Sequence, residues 1–189
     1  TEILAWHFVG ETLRDKSPIP ADGVPLKFEG KLIICQSGLH AAERIFDALS
    51  YAPGHTICRV RCGGIGERHD DKFVCAERTI LWRVDGEQIL RQFSRRVALD
   101  VIHLWDAPDI VKRYLETGDE LSGPLLGTLL GTLLGTLLWP LLGPLLGTLL
   151  GPLLGPLLGP LLGRQISKYN DWLTEMVESA RATADNASA

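Results

Sequence analysis

Hydrophobic and polar positions along this chain change period several times, and each change marks a predicted element. Ile3 to Val9 is a short apolar run carrying Trp6 and Phe8, which predicts a strand. Residues 15–30 hold Pro18, Pro20, Pro25, Gly23 and Gly30 and read as a loop. Lys31 to Cys35 reads as a second strand, and Ser37-Gly38 as the turn after it. Apolar residues at Ala41, Ala42, Ile45, Ala48 and Leu49 have helical spacing, and Pro53-Gly54 ends that helix just past Tyr51. From Thr56 to Cys62 the alternation of Ile57, Cys58, Val60 and Cys62 with Arg59 and Arg61 predicts a half-buried strand, broken by Gly63-Gly64. Lys72 to Val84 is a longer β run. Asp85, with Gln88 three residues on, has the pattern of a helix N-cap. The helix it opens puts Ile89, Leu90, Phe93, Val97, Val101 and Leu104 on one face. Asp106 and Pro108 open another, with Ile110, Val111, Tyr114 and Leu115 inward, and Gly118 stops it. Strands come first and helices later, with one helix inserted early. That order predicts an α+β domain, a small mixed sheet with an inserted helix and two C-terminal helices, rather than a doubly wound sheet.

The pattern divides the chain into an α+β domain over residues 1–120, a repeat over 121–163, and a C-terminal helix with a disordered end over 164–189. Residues 121–163 contain no Asp, Glu, Lys or Arg. The repeating unit is Gly-Thr-Leu-Leu or Gly-Pro-Leu-Leu, broken once at Trp139-Pro140. Three readings compete. A membrane association through residues 124–163 has the length of uncharged apolar sequence in its favour, and small residues every fourth position. Pro140, Pro144, Pro152, Pro156 and Pro160 oppose a spanning helix, because each interior Pro removes a hydrogen bond at about 3 kcal/mol. A solenoid of period four matches no known repeat architecture. A low-complexity, self-associating tail is the third reading. Helical spacing returns at Ile166, Tyr169, Trp172, Leu173, Met176 and Val177, an amphipathic helix with a face to bury.

Charge narrows the partners. The net charge is -4, which is not the footprint of a nucleic-acid binder, so no nucleic-acid partner is expected. Arg91, Arg95 and Arg96 read as a solvated helix face. Cys35, Cys58, Cys62 and Cys75 form no CxxC pair and have no His at finger-like spacing, so they read as reduced core residues and no metal site is expected. Gly63-Gly64-Ile65-Gly66 follows a strand but precedes charged residues rather than a helix, unlike a phosphate loop. His55, His69 and His103 have no partner at ligand spacing. The N-terminal residues lack a basic n-region and a cleavage site, so a cytoplasmic location is expected, in the host cell if the chain is phage-encoded; the missing Met suggests a trimmed or partial chain.

Four stretches carry a resemblance: Trp6-His7-Phe8-Val9, Cys35-Gln36-Ser37-Gly38-Leu39-His40-Ala41, Asp47 to Gly54, and Leu104-Trp105-Asp106-Ala107-Pro108-Asp109. Together they resemble an uncharacterised domain family frequent in phages and prophages, over about residues 4–120. Members of that family often continue into Ala-rich repeats and a short helix similar to Asn170–Ala180. A more distant similarity is to the ADP-ribosyltransferase fold, of poly-ADP-ribose polymerases and RNA 2′-phosphotransferases. Trp6-His7 is similar to the first-strand motif of those enzymes. Gly38-Leu39-His40-Ala41-Ala42 is similar to the second, with Tyr51 at the end of the following helix, and Thr56 to Gly63 to the third. The resemblance implies NAD as the cofactor, with His7 on its ribose and amide. It implies that His40 and Tyr51 flank the nicotinamide, and that the third catalytic position falls around Asp71 or Lys72. Two departures stand out. Phe8-Val9 replaces the polymerases' Gly and Ser or Thr, and Asp71 stands where their Glu is expected.

The residue types suit that chemistry. Breaking a nicotinamide–ribose bond builds positive charge on the sugar, so a site needs donors that orient the ribose, a flat face for the ring, and a carboxylate to polarise an acceptor hydroxyl. His7, His40, Tyr51 and Asp71 supply those types. The residues themselves leave three function classes open: a binding module with a protein partner, such as a phage accessory protein, an NAD-dependent ADP-ribosyl- or phosphotransferase-like enzyme, and a membrane-associated protein.

The repeat also has a genetic reading. Encoded as GGG ACG CTG CTT, Gly-Thr-Leu-Leu becomes Asp-Ala-Ala-Trp when read one base earlier, and Gly-Pro-Leu-Leu likewise becomes Ala-Ala-Ala-Trp. Both alternatives favour helix. The segment is then a frame-shifted Ala-rich helical array. Sequencing the gene tests this: Ala codons are expected throughout in the shifted frame, and codons that cannot yield Ala there exclude it.

Overall fold

The computed structural model describes residues 2–104, 106–118 and 151–187, with the backbone alone for 151–162. Its elements are β1 (Ile3–Val9), β2 (Pro25–Lys27), β3 (Leu39–Ala41), α1 (Ile45–Leu49), β4 (Thr56–Arg68), β5 (Phe73–Asp85), α2 (Glu87–Val101), a 3₁₀ turn (Ile102–Leu104), α3 (Asp109–Thr117) and α4 (Gly151–Ala187). The α+β class is as expected. Every strand pairing is antiparallel, however, so the sheet is not mixed. The chain forms two units, Thr1–Leu90 with Tyr169–Ala189, and Arg91–Lys168.

The first unit is built on the β4–β5 hairpin. β4 pairs with β1 on one side and with β5 on the other, and β5 carries both β2 and β3 on its far edge. The hairpin is longer than the sequence suggests, because Gly63-Gly64 does not end β4. Gly64 takes a left-handed φ of 61°, and a Cβ there would sit 2.8 Å from the Cβ of Ala76. The glycine lets the strand bend tightly over its partner instead of stopping it. Register shifts between Arg59 and Val60 and between Ile65 and Arg68 add to the bending. Ala5, Val9, Cys58, Val60, Cys62, Phe73, Cys75 and Ile80 form one buried cluster of the sheet.

Two other expectations shift. Lys31–Cys35 is not a strand. Ile33 and Ser37 form an isolated bridge around a tight turn in which Cys35 has a φ of 64°. The strand comes later, at β3, because Ala41 and Ala42 are small enough to be buried against the sheet, where the apolar spacing alone suggested a helix. Only Ile45–Leu49 of that segment is helical. Asp85 ends β5 and still caps α2, its Oδ1 accepting the Glu87 backbone N–H at 3.0 Å.

The last helix packs as its amphipathic pattern requires. Leu173 and Val177 are fully buried. Within the first unit, the Tyr169 ring lies 6.0 Å from that of Phe46, and the Arg181 guanidinium lies 4.6 Å over the ring of Trp82. Trp82 in turn meets Trp6 edge-on at 5.7 Å. α4 is already helical at Gly151, where the described residues resume, ahead of the start expected after Gly163. Extending an established helix costs less than nucleating one, and the Leu pairs are good helix formers. The expectations for residues 121–150, including most of the repeat proposed to meet a membrane or to self-associate, lie outside the described residues. Among the described residues, no helix is long and apolar enough to cross a membrane.

In the second unit Ala107 and Val111 are buried with Ile102, Tyr114 and Leu115 around them. Gly118 ends α3 in the left-handed conformation and donates its N–H to the Tyr114 carbonyl at 2.8 Å, as the sequence predicts. Phe93 is the buried residue of α2, but Val101 and Leu104, expected on the same inward face, are exposed.

Leu173→Ala is expected to destabilise the full chain by about 2–5 kcal/mol, the cost of emptying a fully buried leucine site. Urea unfolding followed by tryptophan fluorescence measures it; a loss below about 0.5 kcal/mol contradicts this packing.

Candidate functional site

The site is assembled by backbone constraints around Gly38. This glycine has a φ of 105°, and a Cβ on it would lie 2.5 Å from Val74 Cγ2 and 2.8 Å from Leu32 Cδ2. No other residue fits without displacing the sheet. The turn before it is held by Ser37 Oγ donating to the Lys31 carbonyl at 2.6 Å. β3 then runs along the start of β5, with His40 opposite Val74. Immediately beyond, Trp6 donates to the Ala42 carbonyl at 2.7 Å and Ala42 donates back at 3.1 Å. This pair of bonds ties β3 to β1. Because side chains alternate along β1, His7 shares a face with Ala5 and Val9, while Trp6 and Phe8 take the other.

The result is a cleft of about 950 Å³ whose lining includes His7, His40, Tyr51, Lys72 and Arg78. Three of the residues singled out from the sequence, His7, His40 and Tyr51, therefore line one cavity. Asp71 is not among its lining residues. It sits in the β4–β5 turn and accepts a short hydrogen bond from the Tyr51 hydroxyl. Lys72 Nζ lies 4.0 Å from the centroid of the same Tyr51 ring. Tyr51 thus links the cleft to the hairpin turn, and Asp71 reaches the site through it. Tyr51 is half exposed, a rim residue rather than a core one.

His40 is oriented by the turn it follows. Its Nε2 accepts the Cys35 backbone N–H at 2.9 Å, which assigns the proton of the neutral ring to Nδ1. The left-handed Cys35 is what points that N–H at the ring. Arg78 fixes the strand from below, with Nη1 donating to the His40 carbonyl at 2.5 Å. Arg78 is only 7% exposed. It faces Cys62 across the β4–β5 ladder, and among the described residues no carboxylate pairs with it. Burying an unpaired cation costs several kcal/mol unless something compensates.

Burial and charge act together on the histidines. Burial holds His7 well below the usual imidazole range, and the positive charge of Arg78 pushes in the same direction. Burial also lowers His40; a hydrogen bond with the Gly38 backbone opposes this, and Arg78, Lys72 and Arg14 add to the lowering. Both rings are neutral at pH 7, each with one donor and one acceptor nitrogen. Burial pushes the Cys58 thiol up to about 11, so it stays a thiol. Asp71 is held below the usual carboxylate range, chiefly by the Tyr51 hydroxyl.

Cys58, Cys62 and Cys75 are buried as expected, whereas Cys35 is exposed in the turn and lines the cleft. Among the described residues no group of three or more His, Cys, Asp and Glu is placed to hold a metal ion. Sequence reasoning missed Arg78. A signal existed: Glu77 and Arg78 are adjacent in a strand, so their side chains leave on opposite faces, and only one can reach solvent when a face is covered. Glu77 is the outer one, 3.5 Å from Lys27.

Residues 3–92 match the family model of a domain of unknown function (DUF7666). Every residue lining the cleft falls inside that match, and α4 falls outside it. No curated protein and no solved structure matches the chain.

The depressed histidines make stability depend on pH. Their pKa values are lower folded than unfolded, so below about 6.5 the unfolded chain binds more protons and gains on the folded one. Stability is expected to be full above pH 7 and to fall from about pH 6.5 downward, by up to about 1.4 kcal/mol per pH unit for the buried His7 and by less for the more exposed His40. Urea midpoints between pH 7.5 and 5.5 check this, with His7→Gln expected to flatten the slope; an unchanged slope contradicts a neutral, buried His7.

Proposed function

We propose that the domain spanning residues 3–92 binds a nicotinamide-type dinucleotide in the cleft between β1 and β3. The observation that carries the reading is that His7, His40 and Tyr51, drawn from three separated stretches of sequence, line one cavity of about 950 Å³. That volume lies at the upper end of the range of small-molecule sites. Neutral imidazoles suit the task. Each offers a donor and an acceptor to ribose hydroxyls or a carboxamide, without placing a second positive charge beside the nicotinamide. The Tyr51 ring at the rim provides a flat face, and Lys72 already stacks on it. The distant resemblance to ADP-ribosyltransferases supports the same residues in the same roles.

Group transfer is a second reading, favoured by one contact. Asp71, kept ionised and hydrogen-bonded to Tyr51, is a carboxylate at the rim able to accept the proton of an incoming hydroxyl. In such a step the ribose C1′–nitrogen bond breaks, nicotinamide leaves with the electron pair, and the acceptor oxygen bonds to C1′. A partner protein is the acceptor most in keeping with an accessory domain of phage type.

Calorimetric titration of the full chain with NAD tests the binding reading. Binding is expected, weakened at least tenfold, about 1.4 kcal/mol, by His7→Ala and by His40→Ala, with circular dichroism confirming that both variants fold. A folded wild-type chain that takes up no NAD at millimolar concentration removes the reading.

A further inference from the structure

Arg78 is in an unusual position for an arginine. It is 7% exposed, it lines the cleft, and it has no carboxylate partner among the described residues. A guanidinium carries five N–H donors, and the one hydrogen bond described for it goes from Nη1 to the His40 carbonyl. No buried side-chain nitrogen of the described residues lacks a partner, so the remaining donors of Arg78 reach solvent, and the cavity that Arg78 lines is the solvent beside it. Its cross-strand neighbour is a thiol, Cys62, which offers little compensation for the charge.

The surroundings have the same sign. Arg14, Lys27 and Lys72 also line the cleft, Lys27 being paired with Glu77 at 3.5 Å. The lining contains one carboxylate, Asp15, and its Oδ1 is engaged by the Ser17 hydroxyl at 2.6 Å and the Ser17 N–H at 3.0 Å. A chain of net charge -4 has gathered four cations around one cavity and left the most buried of them unpaired.

We infer that Arg78 forms the floor of an oxyanion subsite, which takes a phosphate or pyrophosphate group of the ligand. The planar fork of a guanidinium matches two oxygens of such a group, and the low-polarity surroundings strengthen each charge-assisted bond. Lys72 and Arg14, nearer the opening, attract the anion and stay hydrated. The donor to His40 then has a second consequence. The residue that binds the anion also holds the strand that presents the imidazole, so the two ends of a ligand are set relative to one another. This subsite lies in the cleft of the proposed nucleotide site, but any ligand bearing a phosphate would use it.

Inorganic pyrophosphate and ADP-ribose are the probes, on the full chain. Arginine-detected NMR of the wild type is expected to show the Arg78 guanidinium resonances shifting on addition of pyrophosphate, and calorimetry to show pyrophosphate competing with ADP-ribose. Arg78→Lys, which keeps the charge and loses the fork, is expected to weaken ADP-ribose at least tenfold, and Lys72→Gln by less. If Arg78→Lys does not fold, the wild-type NMR shift decides alone. Arg78 resonances unmoved by pyrophosphate up to about 10 mM overturn the subsite. So does an Arg78→Lys chain that binds ADP-ribose within about twofold of wild type. Pyrophosphate bound at Arg78 without any NAD binding keeps the subsite and removes the dinucleotide reading. NAD bound with Arg78 unperturbed does the reverse.

Discussion

Trp6 gives both of its backbone hydrogen-bonding groups to Ala42, and most of what is distinctive in the first unit depends on that exchange. β1 is already an edge of the sheet, paired to β4 along its length. β3 hangs on the far side of β5. Without a link between them, His7 and His40 belong to opposite margins of a curved sheet. Two N–H···O bonds hold them together, each worth only about 1 kcal/mol net. The link spans a sheet whose central strands, β4 and β5, are long and interrupted by register shifts. Gly64 and the register shifts bend those strands, and Gly38 supplies the close approach that β3 needs. The cleft is therefore a product of backbone geometry first, with side chains selected to fill it.

Charge then settles the state of those side chains. Arg78 sits beneath β3, almost fully buried, with its hydrogen bond to the His40 carbonyl. A fixed positive charge at that point disfavours a second one on either imidazole, and burial works the same way. Burial first, and the arginine's charge second, keep the histidines neutral. Neutral rings in turn leave Arg78, among the described residues, with no compensation beyond one carbonyl and nearby thiols. The floor of the cleft thus carries a fixed positive charge, while the imidazoles on its walls are neutral donors and acceptors.

Much of this was legible in the sequence, and the failures are instructive. β1, β5 and the start of β4 follow from alternation and β-branched content, and the C-terminal helix from its Leu173–Val177 stripe. β3 was hidden because Ala41, Ala42, Ile45 and Ala48 satisfy helical spacing while two of the four belong to a strand and its bridge. Alanine carries little β signal, and the tertiary pairing with Trp6 outweighs local propensity. Gly63-Gly64 misled in the opposite sense, since glycine marks a bend in a strand as readily as its end. Of the site, His7, His40 and Tyr51 were singled out from the sequence, and the structure puts them along one cleft. Arg78 left only a faint signal, its adjacency to Glu77, because an arginine in a half-buried strand is ordinarily an outward residue, and only the three-dimensional covering of both faces turns it inward.

Carboxylates are scarce in the cleft, whose lining holds, among the described residues, only Asp15. A glutamate within reach of Arg78 would form a buried ion pair with it, satisfy the guanidinium and withdraw it from any ligand. The arrangement avoids this. Asp15 is taken up by Ser17, Asp71 by Tyr51, and Glu77 points away toward Lys27. On the proposed reading, an open arginine floor and a glutamate-based transferase centre in the same cleft would be in conflict, because each would neutralise the other. The absence of the polymerase-type glutamate, a departure when viewed as a motif, is consistent when viewed as electrostatics. With Asp15 and Asp71 each engaged by a hydroxyl, the buried guanidinium is left open, as the proposed anion subsite requires.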